Sequence, residues 1–423
     1  MKFQEEKMTE KQIEYGIKSL NLEFGEETVF NAVKAVEEFK VEVPSWIFGK
    51  FGGGRFGDFI PPGYARNIFE KLDDAAIVNE LTGASGQIAA HTLWDFSNDG
   101  LEGSYDLAVE VKKAAESREL KLGSINPTYF LKGSHNGSLS SYDEKVRERY
   151  IEQTILSGRI AEDLSNKLLT LWLPDGSNYP GQLELDKLMQ NTINSLKVIA
   201  ENVSKTVRVL IEYKVFEPGT YSTVLADWGS ALMMAQVYGP NAGVLIDMGH
   251  HFHSANIEQI VARLINSKIQ GGFHFNTRYA ADDDHSVEPN TELARIFYEL
   301  VKGDVVFGPN KWDLMIDQCS SRENRIQAII HSIDSLQLSL AKAMLIDREK
   351  LLEYQKEDSI ILANRFFNNA LILADVRPIV YEARKNKKLP LDPIKAFKQS
   401  GYQDKIEKER NNKIFNSVLQ SGS

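Results

Sequence analysis

Gly243-Val-Leu-Ile-Asp247, then a helical period carried by Ile257, Ile260, Val261, Leu264 and Ile265, then Gly271-Gly-Phe-His274-Phe-Asn276 form one strand, helix, strand unit. A short apolar run bounded by turn residues reads as a buried strand, and apolar residues three and four apart read as one face of a helix. Working outward, the same alternation recurs on both sides. Strands are expected at 41–48, 87–94, 120–126, 168–173, 207–214, 243–247, 271–275 and 312–316. Further helical faces are carried by Leu293, Ile296, Phe297, Leu300 and Val301, and by Ile326, Ile329, Ile330, Ile333 and Leu340. Eight strand-then-helix units predict an α/β fold, a (β/α)8 TIM barrel, for which ~250 residues suffice. An open doubly wound sheet is the alternative that this alternation permits. Helical patterns at 9–20 and 26–39 come first, and the strand runs stop near Asp347. The expected organisation is an N-terminal helical segment over 1–40, a barrel over 41–346 and a C-terminal helical extension over 347–423.

The 423 residues carry 49 basic and 59 acidic side chains, a net charge of −10, which repels a phosphate backbone. No nucleic-acid partner is expected. The single cysteine, Cys319, forms neither an internal disulfide nor a thiolate metal cluster and suits a reducing compartment. No apolar run approaches the ~18 residues that cross a bilayer, and the charged stretch Met1–Met8 has no signal-peptide pattern. A cytoplasmic protein without a membrane partner is expected.

Five of the eight histidines, His250, His251, His253, His274 and His285, crowd into one window with Asp282, Asp283 and Asp284. Glu212 falls late in Val209-Leu-Ile-Glu-Tyr-Lys214, Asp247 and His274 end their runs, and Asp317 follows Leu314-Met-Ile. In a parallel barrel the carboxyl ends of the strands converge on the rim where active sites are built. One such residue alone is more often a helix cap or a satisfied turn residue. Four in successive units point to a divalent cation, because gathering carboxylates without a counter-charge is costly. His250, three residues after Asp247, with Asp282 and Asp284, two apart, suggests a second ion; a solvent-facing acidic turn is the plainer alternative. Oxygen-rich ligands with two imidazoles favour Mn²⁺, Co²⁺ or Mg²⁺ over a structural zinc; Mn²⁺ is the expected ion, with Co²⁺, Mg²⁺ or Zn²⁺ as alternatives.

Lys214 lies two residues from Glu212, on the same side of an extended strand, where its ammonium can polarise a carbonyl oxygen; an ordinary salt-bridged lysine fits the same spacing. His91, Trp94 and Asp95 end the second strand, and Trp172 and Asp175 end the fourth, bringing an imidazole and flat apolar walls to the rim. Gly52-x-Gly54-x-x-Gly57 fits a dinucleotide fingerprint, but Asp58-Phe-Ile-Pro-Pro-Gly63 follows where a helix is required, so it reads as a Phe-rich loop.

Glu212-Tyr-Lys214, Asp247-Met-Gly-His250, Gly272-Phe-His274-Phe-Asn276, Asp282-Asp-Asp284 and Met315-Ile-Asp317-Gln318 together resemble the xylose-isomerase-like sugar isomerases. Leu171-Trp172-Leu-Pro-Asp175, Phe69-Glu-Lys-Leu-Asp-Asp74 and Pro44-Ser-Trp46 narrow the resemblance to the L-rhamnose isomerase group of broad aldose specificity, over about 41–347. The resemblance implies a homotetramer with two divalent metals per subunit. It assigns one metal to Glu212, Asp247, His274 and Asp317, and the other, catalytic one to His250, Asp282 and Asp284. It places Lys214 near the sugar O1 and His91 near the ring oxygen, makes Trp46 and Trp172 pocket walls, and has the loop around Phe56 cap a neighbouring subunit's site. Lys214, His91 and Asp282 are the expected catalytic residues. Cys319-Ser-Ser-Arg322 departs from the family's His-Asn pair at that place, which bears on sugar preference.

The expected reaction interconverts an aldose and its 2-ketose, L-rhamnose and L-rhamnulose foremost, by a metal-assisted hydride shift between C2 and C1. An enediol route with a carboxylate base is the mechanistic alternative. The functional alternatives are a ketose 3-epimerase on the same barrel, with one metal and acids straddling C3, and a non-catalytic sugar- or metal-binding protein, which needs no Lys214.

Overall fold

Eight parallel strands follow one another around a ring in the computed structural model, which describes residues 10–49, 62–130, 134, 137–217, 220–279, 285–319 and 323–410. They are β1 (Val43–Pro44), β2 (Gln87–His91), β3 (Lys121–Asn126), β4 (Leu168–Trp172), β5 (Arg208–Glu212), β6 (Ala242–Asp247), β7 (Gln270–Phe275) and β8 (Asp313–Ile316). Each pairs in parallel with the next. The ring closes where the Glu42 N–H donates to Leu314 C=O at 2.9 Å and Glu42 C=O accepts from the Ile316 N–H at 2.9 Å. The closed barrel, not the open sheet, is therefore the architecture. A small hairpin, Phe216–Glu217 against Tyr221–Ser222, stands above β5.

Two-residue alternation sorts the inward residues into levels. Arg208, at the start of β5, is forked to Asp313 at the start of β8, with Nη2 2.9 Å from Oδ1. One step up, Leu168, Leu210, Leu245 and Met315 form a buried plug inside the ring. Gly272 belongs to this level, because a Cβ there would lie 2.5 Å from Leu210 Cδ1. The next step on β5, β6, β7 and β8 brings Glu212, Asp247, His274 and Asp317 to the carboxyl-end rim. The same spacing that makes each strand buried thus places one polar residue per strand above an apolar floor.

Outside the ring, Asn256 caps Ile257–Asn266, which buries Ile257, Ile260, Val261 and Leu264. The helix Arg325–Met344 is buried on most of its surface because other helices cover it. Val29, Ala32, Val33 and Val36 of the N-terminal helix Glu26–Glu38 share a core with Ala341, Leu345, Leu351, Ile379 and Val380. The N-terminal and C-terminal helices are therefore a third layer over the last barrel helix. Among the described residues no single helix is long and apolar enough to cross a membrane.

Glu42 is a buried acid at the closing seam. The Ser124 N–H donates to its Oε2 at 2.8 Å and the Ser124 hydroxyl bonds its Oε1. A side chain at residue 123 would collide with this carboxyl, so Gly123 leaves it room. Burial pushes the Glu42 carboxyl up to about 7 against the opposing hydrogen bonds from Ser124. A folded-state value raised from 4.5 to about 7 contributes stability of about 3 kcal/mol that is present below pH ~4.5 and lost as pH rises through 7. Glu42→Gln, whose amide can accept from the Ser124 N–H and donate to its hydroxyl, is expected to flatten this pH dependence. The check is the thermal midpoint of metal-stripped wild type and variant between pH 5 and 8; parallel curves would contradict it.

Candidate metal and sugar site

At the rim, Glu212, Asp247, His274 and Asp317 each offer one ligand atom, and these atoms all lie within 4.8 Å of one another. His274 Nδ1 is 3.2 Å from Glu212 Oε1, 3.5 Å from Asp247 Oδ2 and 3.7 Å from Asp317 Oδ2. The Asp247 carboxylate is aimed by its other oxygen: Oδ1 accepts from the Gly249 N–H at 2.7 Å and from Asn276 Nδ2 at 2.8 Å. Oδ2 is left buried without a hydrogen bond, facing the centre. Asp317 is held by the indole N–H of Trp46, which donates to Oδ1 at 2.9 Å.

Three carboxylates this close repel one another, and the charges respond. Burial opposes a proton on His274, but Glu212, Asp247 and Asp317 together hold its imidazole well above the ordinary range. Burial, joined by the charges of Asp247 and Glu212, pushes Asp317 up to about 6 despite His274. Asp247 goes the other way: burial is outweighed by His250, His274 and Asn276, which hold its carboxyl below the ordinary range. The three carboxylates thus draw positive charge toward the cage. With one carboxylate oxygen orphaned and oxygen and nitrogen donors converging, the four residues fit a divalent cation.

His250 stands beside this cage, its Nδ1 3.0 Å from Tyr213 C=O and 3.3 Å from Glu212 Oε1. Asp282, Asp284 and Phe56, with the whole glycine-rich loop around Phe56, lie outside the described residues. Strand β5 ends at Glu212, yet Lys214 is fixed: its N–H donates to Leu225 C=O at 3.0 Å, and its buried Nζ lies 5.1 Å from the Trp172 ring centroid. Lys214 Nζ is also 3.0 Å from Glu217 Oε2, so it is a salt-bridged lysine at the rim.

His91 sits in an aromatic belt, with ring centroids 5.1 Å from Trp46, 4.0 Å from Trp94 and 5.8 Å from Phe130. Phe130 in turn meets Trp172 at 5.0 Å. Burial drives His91 down to about 3, so its ring is neutral at pH 7, with Nδ1 3.2 Å from the Thr128 hydroxyl.

The histidine window is less united than its sequence suggests. Only His250 and His274 reach the cage; His253 and His285 are exposed, and His251 is bonded to Tyr213. Asp95 is occupied by Lys71 Nζ at 2.5 Å, the Ser45 hydroxyl at 2.6 Å and the His91 N–H at 2.8 Å. Asp175 receives the N–H and hydroxyl of both Ser138 and Ser140, at 2.7 to 2.9 Å. These two strand-end acids hold loops, and both oxygens of each are already engaged. Nothing local in the chain marks Asn276 as a clamp on Asp247 or Trp46 as a donor to Asp317, and for Phe130 only its place four residues after β3 hints at the rim.

The sequence model of the L-rhamnose isomerases (RhaA) matches residues 99–372, which include all four cage residues. The chain belongs to the L-rhamnose isomerase family. It is 36% identical over 392 residues to a probable sugar isomerase of Rhizobium meliloti (strain 1021), covering 90% of this chain and 88% of that protein. It is 23% identical over 318 residues to the L-rhamnose isomerase of Bacteroides thetaiotaomicron, covering 73% of this chain and 74% of that one. Among solved structures, an L-ribulose 3-epimerase superposes with a TM-score of 0.50 at 12% identity, over 72% of this chain and 95% of the epimerase, a likeness of barrel fold. This member of the L-rhamnose isomerase family is accordingly an isomerase of the sugar-isomerase kind.

Proposed function

We propose that the chain interconverts an open-chain aldose with its 2-ketose, L-rhamnose and L-rhamnulose foremost, with broad aldose tolerance. The observation that carries this reading is the convergence of Glu212, Asp247, His274 and Asp317 above the barrel floor. In this reading those four hold one divalent ion, and His250, Asp282 and Asp284 hold a second, Mn²⁺ being the first choice for both. When bound, such ions polarise the sugar's oxygens as Lewis acids.

The chain's own residues do the rest. Trp46, Trp172 and Phe130 offer apolar ring faces to the sugar's C–H surfaces and keep water out. Neutral His91 donates its ring N–H to the sugar ring oxygen. Lys214 donates to O1 and balances the charge that gathers there as the carbonyl moves. The C2–H bond breaks as a C1–H bond forms, and the O2 proton is restored at O1, so no redox cofactor is consumed. The homotetramer and the cytoplasmic location suited by a single cysteine belong to the same proposal, as does the division at 40 and 346.

The test is incubation of Mn²⁺-loaded protein with a panel of aldoses, L-rhamnose included, with ketose detection. A ketose from at least one aldose is expected. No ketose from any sugar would overturn the isomerase reading, and a C3 epimer from a ketose panel in its place would make the chain an epimerase. With C2-deuterated substrate the label is expected at C1 of the product; complete washout into water would replace the hydride shift by an enediol.

A further inference from the structure

Tyr213 lies between Glu212 and Lys214 in sequence, but its ring turns away from the rim into the core, 1% exposed. Its hydroxyl is 2.7 Å from His251 Nε2, and the two rings meet edge to face with centroids 5.2 Å apart. On the far side of that imidazole, Nδ1 faces Met248 C=O at 3.4 Å. A carbonyl only accepts, so Nδ1 carries the His251 proton and Nε2 accepts from the Tyr213 hydroxyl. The backbone of the same tyrosine is used as well: Tyr213 C=O faces His250 Nδ1 at 3.0 Å. The same logic puts the His250 proton on Nδ1, so that in the neutral ring Nε2 is the nitrogen without a proton. Two consecutive histidines on the loop after β6 are thus fastened to one residue at the end of β5, one through a side chain and one through the main chain.

We infer that Tyr213 and His251 are a positioning pair, pinning the loop Met248–His251 to the end of β5 so that His250 presents Nε2 as a lone-pair donor beside the four-residue cage. The inference rests on the proposal that His250 is a metal ligand. Neither member of the pair touches the cage centre; the hydroxyl acts through His251, and the loop carries the effect to His250. A ligating imidazole that donates its other N–H to a carbonyl is held in one tautomer and one orientation, and losing such outer support weakens metal binding by roughly 10–100-fold.

Tyr213→Phe removes only the hydroxyl and keeps the ring and the carbonyl. Metal-stripped full-length protein is titrated with MnCl₂ by calorimetry, beside His250→Ala and Glu212→Gln, which mark the sites depending on each ligand. The expected result is a Kd raised ~10–100-fold at the site that His250→Ala weakens, with the remaining site within about twofold of wild type. A general loss of structure would weaken both sites together, and that outcome overturns the inference. Should Tyr213→Phe fail to fold, His251→Leu, which removes the acceptor and spares the hydroxyl, is expected to give the same one-site shift. If His250→Ala binds Mn²⁺ like wild type, the ligand proposal falls and this inference with it. If His250→Ala loses an ion while Tyr213→Phe does not weaken it, the positioning pair alone is refuted.

Discussion

Glu212→Gln is expected to lower kcat by roughly a thousandfold and to remove most of the stabilisation that Mn²⁺ gives the folded protein. Glu212 is the carboxylate shared by both rim imidazoles, 3.2 Å from His274 Nδ1 and 3.3 Å from His250 Nδ1. Glutamine fills the same buried space, so the substitution changes charge rather than packing. A polarising ion contributes several kcal/mol to a transition state that moves charge between oxygens, and ~4 kcal/mol corresponds to about 10³ in rate. The stability readout separates this loss from misfolding. In the stripped protein, three carboxylates crowd one imidazole, and deleting one charge relieves their repulsion. The stripped variant is therefore expected to melt at or above the stripped wild type. Added Mn²⁺ at ~1,000 times Kd stabilises wild type by about 4 kcal/mol through mass action, and the variant is expected to lose that gain. A variant that keeps both its kcat and its Mn²⁺-dependent midpoint would remove Glu212 from the site.

The cage is legible in sequence for the same reason that the barrel is. Each strand is buried on both faces, so it reads as an apolar run with sharp ends, and a Glu, Asp or His interrupting the run at its carboxyl end stands out. Glu212, Asp247, His274 and Asp317 are of this kind. Asp175 looks the same from its own neighbourhood and is spent on Ser138 and Ser140, donors about 35 residues away whose approach depends on a loop path. Trp46 and Asp317 meet across 271 residues, and nothing local in either segment announces it. Glu42 illustrates the converse: it lies inside the strand expected at 41–48, and nothing beside it in the chain announces Ser124, 82 residues away, as the donor to its carboxyl. Periodicity reports which face a residue takes; it does not report which of several polar partners arrives there. The histidine window shows the same limit, since the loop after β6 sends His250 toward Glu212 and His251 toward Tyr213 although they are neighbours in the chain.

Lys214→Met is expected to lower kcat about 10²–10³-fold while leaving Mn²⁺ binding within twofold of wild type, the range seen when one charge-stabilising donor is removed from a developing oxyanion. Methionine matches the stem of lysine and keeps a favourable contact on the Trp172 face, so the wall that Lys214 now covers at 5.1 Å stays packed. Its ion-pair partner Glu217 retains a third of its side-chain surface in solvent and rehydrates when the amine is gone. The stability cost is accordingly small, and a shift in thermal midpoint of only a few degrees is expected. A lysine that serves only as a salt bridge behaves differently: Lys214→Met and Glu217→Gln would then give equal, small losses of stability with kcat intact, and that pattern would remove Lys214 from the chemistry. Lys214→Arg discriminates further. A planar guanidinium keeps the charge but cannot place a single donor where the compact ammonium sits between Trp172 and the rim, so charge alone is expected to restore less than a tenth of the lost rate. The deuterium readout gives the last constraint. Transfer between C2 and C1 does not pass through the amine, so the slow Lys214→Met product is expected to retain its C1 label as fully as the wild-type product; label lost only in the variant would mean that Lys214 governs the path of the hydrogen rather than the charge on O1.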